Sequence, residues 1–332
     1  MSSATKAHED ARLSFPRSFA SSRPAGACCP KARKFMPAQL PKLVNGGSHR
    51  LKEMIPRRLR KRLGAMRRRL RALPFKTEGD RQRLLADKTL AAPERDLLRG
   101  VESRISPRDG MYTGDGAHYF KVGLSAMRCL DEAVQSAKLS TVEQVLDLPC
   151  GHGRVLRFLV NRFPQAKFTA CDLDRDGADF CAHRFGATPV YSTTNLDALS
   201  FAARFDFVWC GSLITHLDAG ITRALLRLFQ RHLRPGGLMI VTTHGDFVAR
   251  RLPGNDFDYM LTKAQIETIT ERYAQTGFGY TDYAEQAGYG VSLTSPAWIR
   301  AQIRAVGGLR EVYFRERVWD AHHDVFGFVR ED

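Results

Sequence analysis

No stretch of this 332-residue chain approaches the roughly 18 consecutive apolar residues that a membrane-crossing helix needs, and no signal-peptide apolar core stands near its start. Its seven cysteines, at 28, 29, 129, 150, 171, 181 and 210, form no Cys-x-x-Cys or other metal-ligand spacing. Cys150, Cys171 and Cys210 fall at the ends of expected strands, where a free thiol behaves as a small hydrophobe, and a reduced, cytoplasmic setting is expected. Acidic residues are scarce at one end. Residues 1–76 hold 3 Asp and Glu against 20 Lys and Arg, a net of +17, so the rest of the chain accounts for −1 of the total +16. The basic character therefore belongs to an arm.

Residues 1–50 are rich in Ser, Pro, Ala and Arg without hydrophobic periodicity and read as disordered. An organelle transit peptide or a start at Met36 or Met54 would also account for them. Ile55, Leu59, Leu63, Met66, Leu70 and Leu73 then recur at steps of three and four among arginines and lysines, which predicts a cationic helix over 55–73 with one narrow apolar stripe. Three roles stay open for it: lying on an anionic membrane surface, contacting nucleic acid, or docking on the body. Nucleic acid is the least favoured, because no aromatic residue interleaves the charges for base stacking.

The whole chain is 43% hydrophobic, enough for a sizeable core in one large or two ordinary domains. Residues 77–140 read as a helical lead-in, with a helix over 117–137, and 141–332 as the main domain. An apolar strand over 141–148 runs into Asp147, a tight turn over 149–153 carries Gly151 and Gly153, and a helix follows over 154–162 with Val155, Leu156, Leu159 and Val160 facing inward. Missing glycine side chains let backbone approach a ligand, and the helix start offers unpaired N–H groups. A dinucleotide fingerprint needs a third glycine where Leu156 stands, so a pyrophosphate ligand is disfavoured. A second strand over 166–171 ends at Asp172-Leu173-Asp174, placing an acid where it can take both hydroxyls of a ribose. A further strand over 205–210 ends at Gly211, and a Pro-Gly-Gly turn at 235–237 precedes another strand reaching Thr243.

These pieces in this order resemble the class I S-adenosylmethionine-dependent methyltransferases, over roughly residues 115–332. The resemblance implies an α/β, Rossmann-like, seven-stranded, mostly parallel sheet with helices on both faces and the last strand antiparallel. It implies S-adenosyl-L-methionine as cofactor, with its methionine part at Asp147, Pro149, Gly151 and Gly153, its ribose at Asp172 beside Leu173, and its adenine near Asn195, with Gly211 at the next strand end. Pro149 stands where the family usually has a glycine and Asn195 where an aspartate is commoner. Pro suits that place if φ is negative, and an amide still recognises an adenine edge.

Methyl transfer from a sulfonium is an in-line displacement, so a base is needed only if the acceptor must lose a proton. His216, His244, His322 and His323 fall at strand ends on the edge where an open sheet binds ligands; His244 is the first choice for a base and His216 the second. These histidines share no ligand spacing on a single helix or loop, so no metal is expected, although with Asp246 or Asp324 they are the set that would hold one. Residues 246–294 read as an insertion whose Tyr280, Tyr283 and Tyr289, with Trp298, would wall an acceptor; Tyr119 is a candidate lid contact. Asn/Asp-Pro-Pro-aromatic is absent after the fourth strand, which disfavours base methylation. The expected function is methyl transfer to a hydroxyl or amine of a small-molecule or glycan acceptor, cytoplasmic or peripheral at the inner membrane face. The alternatives are an RNA methyltransferase that uses its basic arm for phosphates and a non-catalytic S-adenosylmethionine-binding interaction protein. For the arm, a peptide spanning residues 50–76 titrated with anionic vesicles and with RNA at physiological salt separates the three roles: vesicle binding alone selects the membrane, RNA binding selects nucleic acid, and neither leaves docking.

Overall fold

The computed structural model describes residues 75–254, 258–284 and 286–332. The expected helix over 55–73 and the rest of the arm up to residue 74 lie outside them.

Chain order gives β1 (Phe75–Lys76), α1 (Glu78–Leu85), α2 (Ala92–Arg99), β2 (Arg104–Ile105) and α3 (Gly116–Ala137), then β3 (Gln144–Asp147), α4 (Leu156–Arg162), β4 (Lys167–Asp172), α5 (Arg175–Phe185) and β5 (Thr188–Tyr191). After β6 (Phe205–Cys210) come a short helical turn (Ile214–His216), α6 (Ala219–His232), β7 (Leu233–Thr243) and α7 (Asp246–Arg251). The chain finishes with α8 (Lys263–Thr276), β8 (Phe278–Tyr283), β9 (Gln286–Thr294), α9 (Pro296–Val306), β10 (Leu309–Trp319) and β11 (His323–Arg330).

Seven strands form one sheet in the order β10-β11-β7-β6-β3-β4-β5. Neighbours from β7 to β5 are parallel, and β11 alone runs against the rest. Both faces of each central strand are apolar, as a sheet covered on two sides requires. Val145, Phe207, Trp209, Leu238 and Ile240 pack with α3, α4 and α5, while the alternating Leu146, Val208, Cys210, Met239 and Val241 pack with α6 and α9. The expected fold class is the one observed.

Boundaries moved where side chains take over backbone duties. β3 begins at Gln144 rather than 141, because the Asp206 carboxylate accepts from the N–H groups of Glu143 and Gln144 at 2.9 and 2.8 Å. α4 begins at Leu156 rather than 154, because Gly153 sits at φ +76° and the chain must leave the turn before it can wind. Asp115, Asp218, Thr262 and Ser295 each cap a helix with their side-chain oxygens. The short β1–β2 pair and the β8–β9 hairpin are additions to the helical lead-in and to the inserted segment that periodicity did not show. Residues after β7 build their own small core from Val248, Leu252, Ile266, Ile269, Val291 and Leu293.

The helical pattern of α4 omits Arg157 from its inward set, yet Arg157 is fully buried. Its guanidinium donates to the carbonyls of Gly153 (3.0 Å), Glu102 (2.7 Å) and Arg104 (3.1 Å) and to the Tyr119 hydroxyl (3.3 Å), which itself donates to Asp109 at 2.6 Å. One side chain thus ties the lead-in to the glycine turn. Tyr119, 1% exposed, is a core residue rather than a lid, because its hydroxyl is committed to Asp109 and its ring to Arg157. Replacing Arg157 with Met strands several buried carbonyls and is expected to lower the unfolding free energy by about 3 kcal/mol or more in urea titration, with Lys a poor substitute for the planar fork. A loss below about 1 kcal/mol would contradict this role.

Candidate active site

The parallel strands deliver their carboxyl ends to one edge, and the turn after β3 lies there. Gly151 at φ +48° and Gly153 at φ +76° take backbone conformations that side chains resist. A Cβ on Gly153 would sit 2.4 Å from the Phe185 ring, and one on Gly177, at the start of α5, would sit 2.5 Å from the Gly151 carbonyl oxygen. Around Gly151 itself nothing lies within 4 Å of such a Cβ, so the turn is packed from behind and open in front. The Leu148–Pro149 peptide is cis, and Pro149 keeps a negative φ, as its ring demands. His152, 5% exposed, reaches Asp176 at 3.0 Å, an anchor that sequence reasoning missed.

Two acids lie beneath the turn. Asp172 accepts from the Gly151 N–H at 2.7 Å and the Asp174 N–H at 2.9 Å, and burial raises its carboxyl above the usual range despite those bonds. Asp147 is 1% exposed, and neither of its oxygens has a hydrogen-bond partner among the described residues. Burial, and secondarily the Asp172 charge, push its carboxyl well above the ordinary value. Two unpartnered buried acceptors beside an open glycine turn are what an ammonium-bearing ligand would satisfy. Leu173, next to Asp172, is 59% exposed and offers an apolar surface there. Asn195 is exposed and its side-chain oxygen accepts from the Ala198 N–H at 3.4 Å, so it organises its own turn. Gly211 is pressed between Trp209 and Trp319, where a Cβ would come within 2.7 and 2.8 Å of ring atoms, and Ser212 beyond it adopts φ +60°.

The hairpin β8–β9 closes on the same edge. Ser292 donates to the Ile214 carbonyl at 2.6 Å, and the Thr294 N–H donates to the His244 carbonyl at 2.8 Å, stitching β9 along the ends of β6 and β7. His216 is half-buried, with its Nδ1 2.7 Å from the Gly290 carbonyl oxygen and its ring stacked on Tyr289 at 4.9 Å between centroids. Tyr283 stands 3.3 Å from the same nitrogen. Of the four aromatic residues expected to wall the acceptor, Tyr283 and Tyr289 flank His216. Trp298 instead stacks on Phe278 at 4.3 Å and joins the core on the α6 side, while the Tyr280 hydroxyl is tied to Asp282.

His244 is 2% exposed; its Nδ1 has no hydrogen-bond partner among the described residues and its Nε2 lies 3.4 Å from the Tyr259 hydroxyl. His323 packs on it at 4.8 Å and His322 at 5.7 Å. All four expected histidines therefore reach one edge, but in two groups: His216 with the tyrosines, and His244 with His322 and His323. Of the acids paired with them in sequence, Asp246 accepts from Tyr273 and Asp324 from the Arg317 N–H. Burial raises the Asp324 carboxyl to about 6.

Residues 145–237 match a family model described as a methyltransferase domain. The chain is 29% identical to a trans-aconitate 2-methyltransferase of Azoarcus sp. (strain BH72) over 133 residues, 40% of this chain and 51% of that protein. It is 25% identical to a fatty-acid O-methyltransferase of Mycolicibacterium smegmatis over 195 residues, 57% of this chain and 68% of that one. The chain thus spans about half the length of the first of these curated relatives. Among solved structures it is similar to an S-adenosylmethionine-dependent methyltransferase from Clostridium acetobutylicum at 14% identity and a TM-score of 0.44, covering 64% of this chain and 92% of that one. The glycine turn and the acid after the second parallel strand both lie inside the residues that match the methyltransferase-domain model.

Proposed function

We propose that the chain transfers a methyl group from S-adenosylmethionine to a hydroxyl or amine of a discrete small-molecule or glycan acceptor seated under the β8–β9 hairpin. Asp147 and the backbone of Gly151 and Gly153 would hold the amino-acid part of the cofactor, Asp172 its ribose and Leu173 an apolar face of it. Bound there, the cofactor supplies an electrophilic methyl group. The chain's own task is to align the acceptor and exclude water.

One observation carries the choice of base. With Nδ1–H of His216 donated to the Gly290 carbonyl, the tautomer is fixed and Nε2 keeps a lone pair for the acceptor's proton. His244, the first choice from sequence, is 2% exposed and hemmed in by two other imidazoles, so we place His216 ahead of it. Burial lowers the His216 pKa, the Gly290 bond opposing it. A lowered pKa keeps the neutral, proton-accepting form present at pH values below the ordinary histidine range, so the acid limb of the pH–rate profile should lie below 6.5.

A second reading has its own support: both curated relatives are named for carboxylic-acid acceptors, trans-aconitate and fatty acids. A carboxylate needs no base. The RNA-methylating and membrane-facing alternatives rest on the arm, which lies outside the described residues. Replacing His216 with Gln separates the first two readings. A hydroxyl or amine acceptor predicts a fall in kcat of about 10²–10⁴-fold with loss of the acid limb and cofactor affinity within about twofold. A fall of less than about tenfold would remove His216 as the base and favour the carboxylate.

A further inference from the structure

β7 and β11 are antiparallel neighbours with Thr243 opposite Asp324, so the next pair outward sets His244 against His323. His322 precedes it in the turn from β10, where Asp320 and Ala321 hold φ of +50° and +58° and the His322 N–H closes back on the Trp319 carbonyl at 3.3 Å. That turn is fastened to α3, since the Trp319 indole donates to the Val122 carbonyl at 3.1 Å and the Asp320 N–H to Ser125 at 3.3 Å. Imidazoles from two distant parts of the chain are thereby packed together, with ring centroids 4.2–5.7 Å apart.

Each ring has one nitrogen engaged by an oxygen of the protein. His322 Nδ1 lies 2.7 Å from the Asp320 carbonyl, His323 Nδ1 3.4 Å from the Thr242 hydroxyl, and His244 Nε2 3.4 Å from the Tyr259 hydroxyl. The other nitrogen of His244, its buried Nδ1, is without a hydrogen-bond partner among the described residues. Ligating histidines are oriented in this way, one nitrogen fixed to an outer oxygen and the other turned to the ion. One ligand atom from each of the three lies within 4.8 Å of the others. Zinc–nitrogen bonds of about 2.0–2.1 Å in a tetrahedron require about 3.3 Å between nitrogens, so modest ring rotations close the set. A buried imidazole nitrogen left without a partner, as His244 Nδ1 is among the described residues, is costly, and a cation shared with its neighbours removes that cost.

We propose that His244, His322 and His323 bind one divalent transition-metal ion of the zinc class. An all-imidazole set suits zinc, cobalt, nickel or iron, and three protein ligands leave a further position for water or an acceptor heteroatom. The site goes beyond the methyl-transfer reading and does not depend on it.

The test is a titration of the full chain, stripped with chelator, with Zn²⁺ by calorimetry and with Co²⁺ by visible absorption. One equivalent should bind, with cobalt bands of nitrogen ligation and no thiolate charge-transfer band. His322→Ala and His323→Ala should each weaken binding by more than about tenfold and together abolish it, while the thermal unfolding transition stays cooperative. Binding below about a tenth of an equivalent, a thiolate band, or unchanged affinity in the double variant would overturn the site. If the variants do not fold, the stoichiometry and cobalt spectrum of the unsubstituted chain decide.

Discussion

A carboxylate buried at the end of the first parallel strand, with no hydrogen-bond partner among the described residues, is the constraint around which this molecule is arranged. Asp147 lies beneath the glycine turn with Asp172 close enough for their charges to repel, and water does not reach it. Ionised and alone, it opposes folding, because a buried charge without a counter-charge or donor is expensive. Burial, and secondarily the Asp172 charge, therefore push its carboxyl well above the usual range. A cationic amine arriving at the turn reverses the balance, since it gives the carboxylate a donor and a counter-charge at once.

Much of the surrounding structure keeps that turn in place. Arg157 grips the Gly153 carbonyl from behind, Asp172 holds the Gly151 N–H from below, and His152 ties the turn to α5 through Asp176. Gly177 allows α5 to press against the Gly151 carbonyl, which a side chain would prevent. The hairpin side of the same edge is built differently. Its residues come from the hairpin of the inserted segment, joined to the ends of β6 and β7 by main-chain and hydroxyl hydrogen bonds.

Local patterns made the sheet legible. Alternating apolar strands, the Gly-His-Gly turn and the acid at 172 are short-range signals, and each lies where the sequence places it in the fold; Pro235-Gly236-Gly237, expected as a turn before the strand, instead lies within β7, with Gly236 at φ +74°. What remained hidden depends on partners far apart in the chain. Nothing near Arg157 announces that carbonyls some fifty residues earlier will surround it, and an arginine in a helix ordinarily points to water. The histidines at 216 and 244 were visible as strand-end residues, but their division into two groups follows from the β8–β9 hairpin and the β10–β11 turn, whose register no local pattern sets. The hairpin itself was obscured because its glycines and tyrosines alternate without a clean apolar face. Asn195 marks the same limit: its position after the third parallel strand was readable, its use in capping its own turn was not.

Calorimetric titration of S-adenosylhomocysteine into the full chain and into an Asp147→Asn form is the most direct measurement of the central claim. The unsubstituted chain should bind one equivalent, and the asparagine form should bind about tenfold or more weakly, the effect of losing a charge-assisted hydrogen bond of about 1.5–3 kcal/mol, while unfolding at a temperature at least as high. Absence of heat with the unsubstituted chain, or equal affinity in the two forms, would contradict the account.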